Sequence, residues 1–344
     1  MTESYIILII GIVLVVFFEF TNGVHDASDM IATAIASNTI TPGRAIALVT
    51  FFTFLGPLLG GVAVADTIGQ FVKINPEETT LSQMVVISAL LSAIIYNLVT
   101  WKFGLPSSSS SSLTSGLVGA GLHAVGPQKI NWGLDALQHF QLSGFMKVIT
   151  GMFFSPLAGF IIGILIIKLF IKLFSRLSIK AKPFFIISQY FSISWLAFSH
   201  GTNDAQKGMG MIAMMLLASG ITPTFTVPFW VILLCAGSIT LGTLFGGWSI
   251  VKTVGFGIYR IKLIHSLADQ IGSAAVILSS SLIGAPVSTT QVVTTTLVGI
   301  GAGERPGHVK WQNVEKIFAG WFLNIPISIV TGYLINFILS KIIL

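Results

Sequence analysis

Phe20-Thr21-Asn22-Gly23-Val24-His25-Asp26-Ala27 recurs 178 residues later as Phe198-Ser199-His200-Gly201-Thr202-Asn203-Asp204-Ala205. Self-similarity of this kind marks a chain built from related units, and the flanking sequence extends it. Leu55-Gly56 and Gly60-Gly61 return as Leu241-Gly242 and Gly246-Gly247. Gly104-Leu105-Pro106, followed by a serine tract from Ser107 to Ser112, returns as Gly284-Ala285-Pro286-Val287-Ser288-Thr289-Thr290. Both versions continue into Leu-Val-Gly, at Leu117–Gly119 and Leu297–Gly299, and then reach Trp132 and Trp311. The common order predicts a first repeat over residues 1–175, a basic linker over 176–182 and a second repeat over 183–344.

The solvent for such a chain is a bilayer. Hydrophobic residues make up 53% and charged residues 9%, against a charged share of about 25% in soluble domains. Of the apolar runs at Tyr5–Phe20, Ala45–Ala65, Leu81–Trp101, Phe145–Phe174, Phe225–Val251 and Ile325–Leu344, several reach the ~20 residues a membrane-crossing helix requires. They lack the alternation of membrane β-strands. Met1-Thr2-Glu3-Ser4 has no basic character, so the first run is expected to be a retained span, not a cleaved signal. Segments near 27–40 and 104–124 are short or interrupted, and broken segments at matching places accompany inverted repeats. The expected fold is therefore an all-α polytopic membrane protein. It has two inverted-topology repeats, with broken helices or re-entrant hairpins, and about 10–12 membrane segments. Lys168, Lys172, Arg176, Lys180 and Lys182 cluster mid-chain without an acidic residue among them, which places the linker on the cytoplasmic side. Flanked by spans, these residues fit topology better than a nucleic-acid surface.

Glu19, Asp26, Asp29, Asp66, Asp204 and Asp269 sit in or beside apolar runs. A carboxylate at the bilayer centre costs about 2.5–3.5 kcal/mol on insertion scales, so such residues usually face a polar cavity. Asp26 and Asp204 are repeat equivalents. Asn22 and Asn203 add neutral oxygen donors, and Gly23 and Gly201 are expected to open the helices so that carbonyls line the cavity. Such oxygens suit a hard cation or a proton; the plainer reading is a helix cap. Lys207 is the counterpart of Asp29, and three roles stand open for it: a cross-repeat ion pair with Asp29, contact with an anion, or snorkelling. The serine tract after Pro106 and the hydroxyls after Pro286 read as helix N-termini. Their free N–H groups and dipoles favour an oxyanion. A linker, or close packing by small residues, is the alternative.

Phe18–Ala27, with Ala197–Gly208, resembles the paired signatures of the inorganic phosphate transporter (PiT) family. Thr100–Ser109 and Gly284–Thr290 look like that family's other signature pair. The likeness covers nearly the whole chain and is greatest to bacterial low-affinity phosphate permeases. It implies secondary active symport of inorganic phosphate, alone or as a metal–phosphate complex, with H⁺ or Na⁺, by alternating access and without a further cofactor. It implies a multi-pass protein of the cell membrane, surrounded by lipid and compatible with a homodimer. Carried over, Ser108, Ser109, Ser110, Ser288, Thr289 and Thr290 would contact phosphate, with Gln206, Lys207 and Gln270 adding ligands. Asn22, His25, Asp26, Asp29, Asn203 and Asp204 would serve the coupling cation; Asp26, Asn203 and Asp204 would ligate it as metal if it is Na⁺. The family pattern has Asn at Asp29 and His at both Ser111 and Gln291, departures that keep sulfate open as substrate. A passive anion pore would not need paired acidic sites. An intramembrane hydrolase would need a nucleophile motif that the serine tract lacks.

Overall fold

The computed structural model describes residues 2–70, 79–137, 141–176, 181–246 and 248–343. Every regular element among them is helical. The first half contains α1 (Thr2–Ala36), α2 (Pro42–Leu59), α3 (Ala63–Gly69), α4 (Thr79–Phe103), α5 (Ser109–Ala124), α6 (Leu134–Leu137) and α7 (Gly144–Phe174). The second contains α8 (Lys182–Ala218), α9 (Phe229–Phe245), α10 (Trp248–Gly257), α11 (Leu263–Leu282), α12 (Thr289–Glu304) and α13 (Trp311–Ile343). Residues 177–180 of the basic linker lie outside the described residues.

Helices α1, α2, α4, α7 and α13 are each long and apolar enough to cross a bilayer, and α9 with α10 forms a bent pair that passes together. Burial is inverted relative to a water-soluble protein. Phe153, Leu157 and Leu165 on α7 and Phe322, Val330 and Leu334 on α13 are exposed, while the hydroxyl-rich starts of α5 and α12 are buried. Lipid is the medium in which that arrangement costs least.

The sequence repeat is also a spatial one. Helix α1 packs on α9 as α8 packs on α2; α5 packs on α13 as α12 packs on α7; α3 lies against α8 as α10 lies against α1. Small contacts repeat as well. Trp132 Nε1 donates to the Pro127 carbonyl (2.7 Å) and Trp311 Nε1 to the Pro306 carbonyl (3.0 Å). The sense of the repeat follows from the crossing of α1 with its equivalent α8. Gln83 Nε2 donates both to Ser4 near the start of α1 and to Ser219 just past the end of α8. A Cβ on Gly11 would meet Met215, one on Gly208 would meet Glu19, and Asp26 meets His200. Rising numbers on one helix thus match falling numbers on the other. Equivalent helices run antiparallel, the relation of an inverted-topology repeat.

Two expectations are corrected. Residues 27–40 do not form a separate segment, because α1 is continuous from Thr2 to Ala36 and α8 from Lys182 to Ala218. Gly23 and Gly201 therefore neither unwind a helix to expose carbonyls nor begin a new one. Their role is close approach: a Cβ on Gly23 would lie 2.1 Å from the Ile239 carbonyl oxygen, and one on Gly201 would lie 2.2 Å from that of Thr53. The helix stays intact because side chains from neighbouring helices, rather than its own carbonyls, satisfy the buried polar groups. Gly23→Ala is expected to destabilise the fold by about 1–3 kcal/mol, the usual cost of overpacking. Gly43→Ala, with nothing within 4 Å, should leave thermal unfolding in detergent unchanged or slightly raised.

Candidate functional site: two hairpin tips and a carboxylate pair

Helices α4 and α5 form one hairpin and α11 and α12 the other. Gly116 on α5 packs against Ala89 and Ser92 of α4, so α5 returns beside the helix that precedes it. Helix α13 runs alongside, with Asn324 Nδ2 donating to the Ser108 carbonyl and Asn336 meeting His123 near the end of α5. Helix α5 therefore begins part-way along a membrane-length neighbour. Each tip turns on a glycine at positive φ, Gly104 (64°) and Gly284 (68°), a conformation glycine adopts without steric cost. The short helices brace the tips: Thr67 on α3 donates to the Gly284 carbonyl (2.6 Å), and Thr253 on α10 to that of Gly104 (2.9 Å).

The half-helices start slightly later than the prolines predict. Ser108 caps α5 and Ser288 caps α12, each side chain accepting from the backbone N–H three residues on. Pro106 lies in the extended approach, where its carbonyl accepts from Trp321 Nε1 (3.1 Å). The two tips touch, since Ser110 Oγ donates to the Val287 carbonyl at 2.8 Å. Ser108, Ser109, Ser110, Ser288, Thr289 and Thr290 are all buried there.

Asp26 on α1 and Asp204 on α8 meet at this junction. Thr290 Oγ1 donates to Asp26 Oδ1 (2.9 Å), and Thr289 Oγ1 lies 3.4 Å from Asp26 Oδ2 and 3.1 Å from Asp204 Oδ2. Asn22 Nδ2 donates to Asp204 Oδ2 (3.3 Å). Asn203 contacts Ser281; with its oxygen taking the Ser281 hydroxyl, its amide N–H groups reach Asp204 Oδ1 (3.2 Å) and the Val287 carbonyl (3.1 Å). His25 stands between Asp26 Oδ1 (3.3 Å) and Ser107 Oγ (3.2 Å), and Ser107 Oγ is 2.8 Å from Thr100 Oγ1.

Lys207 does not pair with Asp29. Its Nζ lies 2.5 Å from Asp204 Oδ1 and also donates to Ser110 Oγ. Asp204 lies one helical turn away on the same face of α8, whereas Asp29 projects from the antiparallel α1 and has no hydrogen-bond partner on either oxygen. Exchanging residues 29 and 207 is consequently not expected to rescue a charge reversal at 29. Gln206 and Gln270 are buried but turn their oxygens to structural partners. Gln206 Oε1 accepts from the Val64 N–H at the start of α3 (2.7 Å), and Gln270 Oε1 from Ser192 Oγ (2.6 Å).

His200 was not among the candidates read from sequence, yet it joins the two halves. Its Nε2 lies 3.4 Å from Asp26 Oδ2 and 3.1 Å from Asp204 Oδ2. The signal was present: His200 precedes Asp204 by four residues, hence shares its face, and it is the equivalent of Asn22. A separate cavity of about 300 Å³ lies between α7, α12 and α13, with Ser111 and Gln291 among its lining. Apart from Thr295, its other walls, including Met152, Leu157 and Trp321, are apolar, which does not suit an anion chamber.

Mirrored half-helix tips touching beside paired intramembrane carboxylates, within antiparallel repeats, define a helical membrane transporter. A model of the phosphate transporter family matches residues 22–182 and again 174–332. A relative from Rhizobium meliloti (strain 1021), named a probable low-affinity inorganic phosphate transporter, is 37% identical over 337 residues, 96% of each chain. A relative of the same name from Bacillus subtilis (strain 168) is 35% identical over 98% of this chain and 99% of its own. The chain belongs to the phosphate transporter family. A solved structure described as the sodium-dependent phosphate transporter matches the fold, with a TM-score of 0.84 at 24% identity over 98% of this chain and 100% of that one.

Proposed function

We propose that the protein is a secondary active symporter that brings inorganic phosphate into the cell together with H⁺ or Na⁺ by alternating access. It would lie in the cell membrane with its central linker cytoplasmic. The observation that carries this reading is the contact of the two half-helix starts, at Ser110 and Val287, beside Asp26 and Asp204. Ser108, Ser109, Ser110, Ser288, Thr289 and Thr290 would grip the oxyanion with hydroxyls and the dipoles of two helices. Lys207 would supply a fixed positive charge there. Asp26 and Asp204, with Asn22, His25, Asp29 and Asn203, would hold the coupling cation.

A cation is required on physical grounds. A negative-inside potential opposes import by about 2.3 kcal/mol per charge per 100 mV, and two carboxylates beside an anion repel it unless they are neutralised. Cation occupancy should raise phosphate affinity, and by linkage phosphate should raise that of the cation. Proteoliposomes loaded without phosphate are expected to concentrate labelled phosphate when a pH or Na⁺ gradient is imposed, and to exclude labelled sulfate. Equal uptake of sulfate would assign a broader oxyanion range. Flux that follows only the phosphate gradient would mark a passive pore.

A further inference from the structure

The cavity of about 300 Å³ between α7, α12 and α13 stands behind the hairpin tips, with neither Asp26 nor Asp204 in its walls. Its inner end is formed by Ser111 and Gln291, each three residues past the cap of its half-helix and therefore repeat equivalents. Its outer end faces hydrocarbon. Phe153 and Leu157 on α7 and Phe322 on α13 line it and are exposed on the surface of the bundle. Helices α7 and α13 meet there through the rings of Phe153 and Phe322, whose centroids are 6.4 Å apart.

The polar groups at the inner end are unequally engaged. Ser111 Oγ donates to Ser108 Oγ (2.7 Å), and Thr295 Oγ1, also in the wall, donates to the Gln291 carbonyl (2.8 Å). Gln291 is only 6% exposed and bonds other side chains through its backbone alone, its N–H reaching Ser288 Oγ (3.3 Å). Its side-chain amide has no partner among the described residues, yet it lines the cavity. Apolar walls with a few placed polar groups, in volumes of about 300–1,000 Å³, are the usual make-up of small-molecule sites.

The chemistry that fits is narrow. A plain hydrocarbon would leave the amide N–H and oxygen unpaired in a buried place. A carboxylate or an ammonium would be buried without a counter-charge, because no charged side chain lines the cavity among the described residues. A neutral hydroxyl both donates and accepts, as the amide does.

We propose that this cavity binds a small uncharged amphiphile, an alcohol or phenol with an apolar body, which enters sideways from the bilayer and sets its hydroxyl on the Gln291 amide. Thr290, the residue before Gln291, donates to Asp26. An occupant therefore holds the start of α12 against the carboxylate pair from behind. It slows the transport cycle without competing for the anion position.

The test uses purified full-length protein in detergent, unfolded thermally across a concentration series of 4-hexylphenol. Hexylbenzene, which lacks the hydroxyl, controls for changes in the micelle. A ligand that binds only the folded state raises the unfolding temperature as its concentration passes Kd. The phenol is expected to do so in the wild type, and the hydrocarbon to require a concentration about threefold to tenfold higher, the scale of one hydrogen bond. Gln291→Leu removes the amide and is expected to raise the phenol concentration required by the same factor. Val314→Phe fills the cavity from α13 and is expected to raise it about tenfold or more. Should Val314→Phe fail to fold, Leu157→Trp fills the cavity from the lipid-exposed face of α7. No stabilisation by the phenol, equal effects of phenol and hydrocarbon, or an unchanged midpoint in either the amide or the filling variant overturns the site.

Uptake by the same protein in liposomes is the arm that rests on the symport reading. Saturating phenol is expected to lower the maximal rate of phosphate uptake severalfold and to leave KM within about twofold. An unchanged rate overturns the coupling to transport, and a rise in KM alone places the phenol at the hairpin tips and overturns the site. Stabilisation by the phenol in protein that takes up no phosphate under any gradient leaves the site standing and overturns the symport reading instead.

Discussion

Asp204→Asn is expected to reduce phosphate uptake by about two orders of magnitude, equivalent to about 2.7 kcal/mol of lost stabilisation along the transport cycle. The cause is Lys207. Its ammonium is 1% exposed and lies 2.5 Å from Asp204 Oδ1, with Ser110 Oγ as its other acceptor. Removing one member of a buried ion pair typically costs about 3–5 kcal/mol, because the other charge is left uncompensated. The amide also gives up charge where Asn22, His200 and Thr289 all approach the second oxygen. Stability and transport are separable by a second change. Asp204→Asn with Lys207→Met removes both charges and is expected to recover much of the lost unfolding temperature. It is not expected to recover uptake, since the fixed positive charge beside the hairpin tips has gone. Thermal unfolding and initial uptake rates on the same preparations decide the matter. Full recovery of uptake by the double variant would show that the pair is structural only.

Architecture was legible because the pattern carrying it is covalent and repeated. Gly104-Leu105-Pro106 and Gly284-Ala285-Pro286 announce the hairpin tips in sequence, and both tips place the glycine at positive φ in the fold. The polar starts of α5 and α12 stand out from apolar surroundings, so their meeting at the centre was foreseeable from the cost of leaving them in lipid. The helix break expected at Gly23 and Gly201 was not. A glycine next to polar residues reads the same whether it unwinds a helix or admits a neighbour's backbone. Only the placement of Ile239 and Thr53 against these positions distinguishes the cases.

The partner of Lys207 was hidden for a related reason. Repeat offset places it opposite Asp29, but offset equates positions under symmetry and does not make them neighbours. Helical spacing from Asp204 to Lys207 was the better guide. His200 escaped notice because its equivalent is Asn22 and not a second histidine. The two residues do similar work, each donating toward Asp204, while His200 alone reaches across to Asp26.

His200→Leu is expected to reduce phosphate uptake by more than about a hundredfold, and His200→Gln by about tenfold. His200 Nε2 is the one ring atom shared by the carboxylates of both repeats, at 3.4 Å from Asp26 Oδ2 and 3.1 Å from Asp204 Oδ2. Two like charges ~5 Å apart at an effective dielectric of about 20 repel by about 3 kcal/mol. Thr289 bridges the same two oxygens but carries only one hydroxyl proton. Leucine therefore leaves the two facing oxygens only the Asn22 amide, 3.3 Å from Asp204 Oδ2, and the one Thr289 proton, and removes the donor they share, whereas glutamine retains an N–H for the pair. Because Asp26 belongs to one repeat and Asp204 to the other, the imidazole ties together elements that alternating access must move relative to one another. A loss confined to uptake rate, with the unfolding temperature of His200→Gln kept near that of the wild type, is the expected signature of that role. Equal losses of stability and uptake in both variants, or uptake by His200→Leu within a few-fold of normal, would reduce His200 to a packing residue.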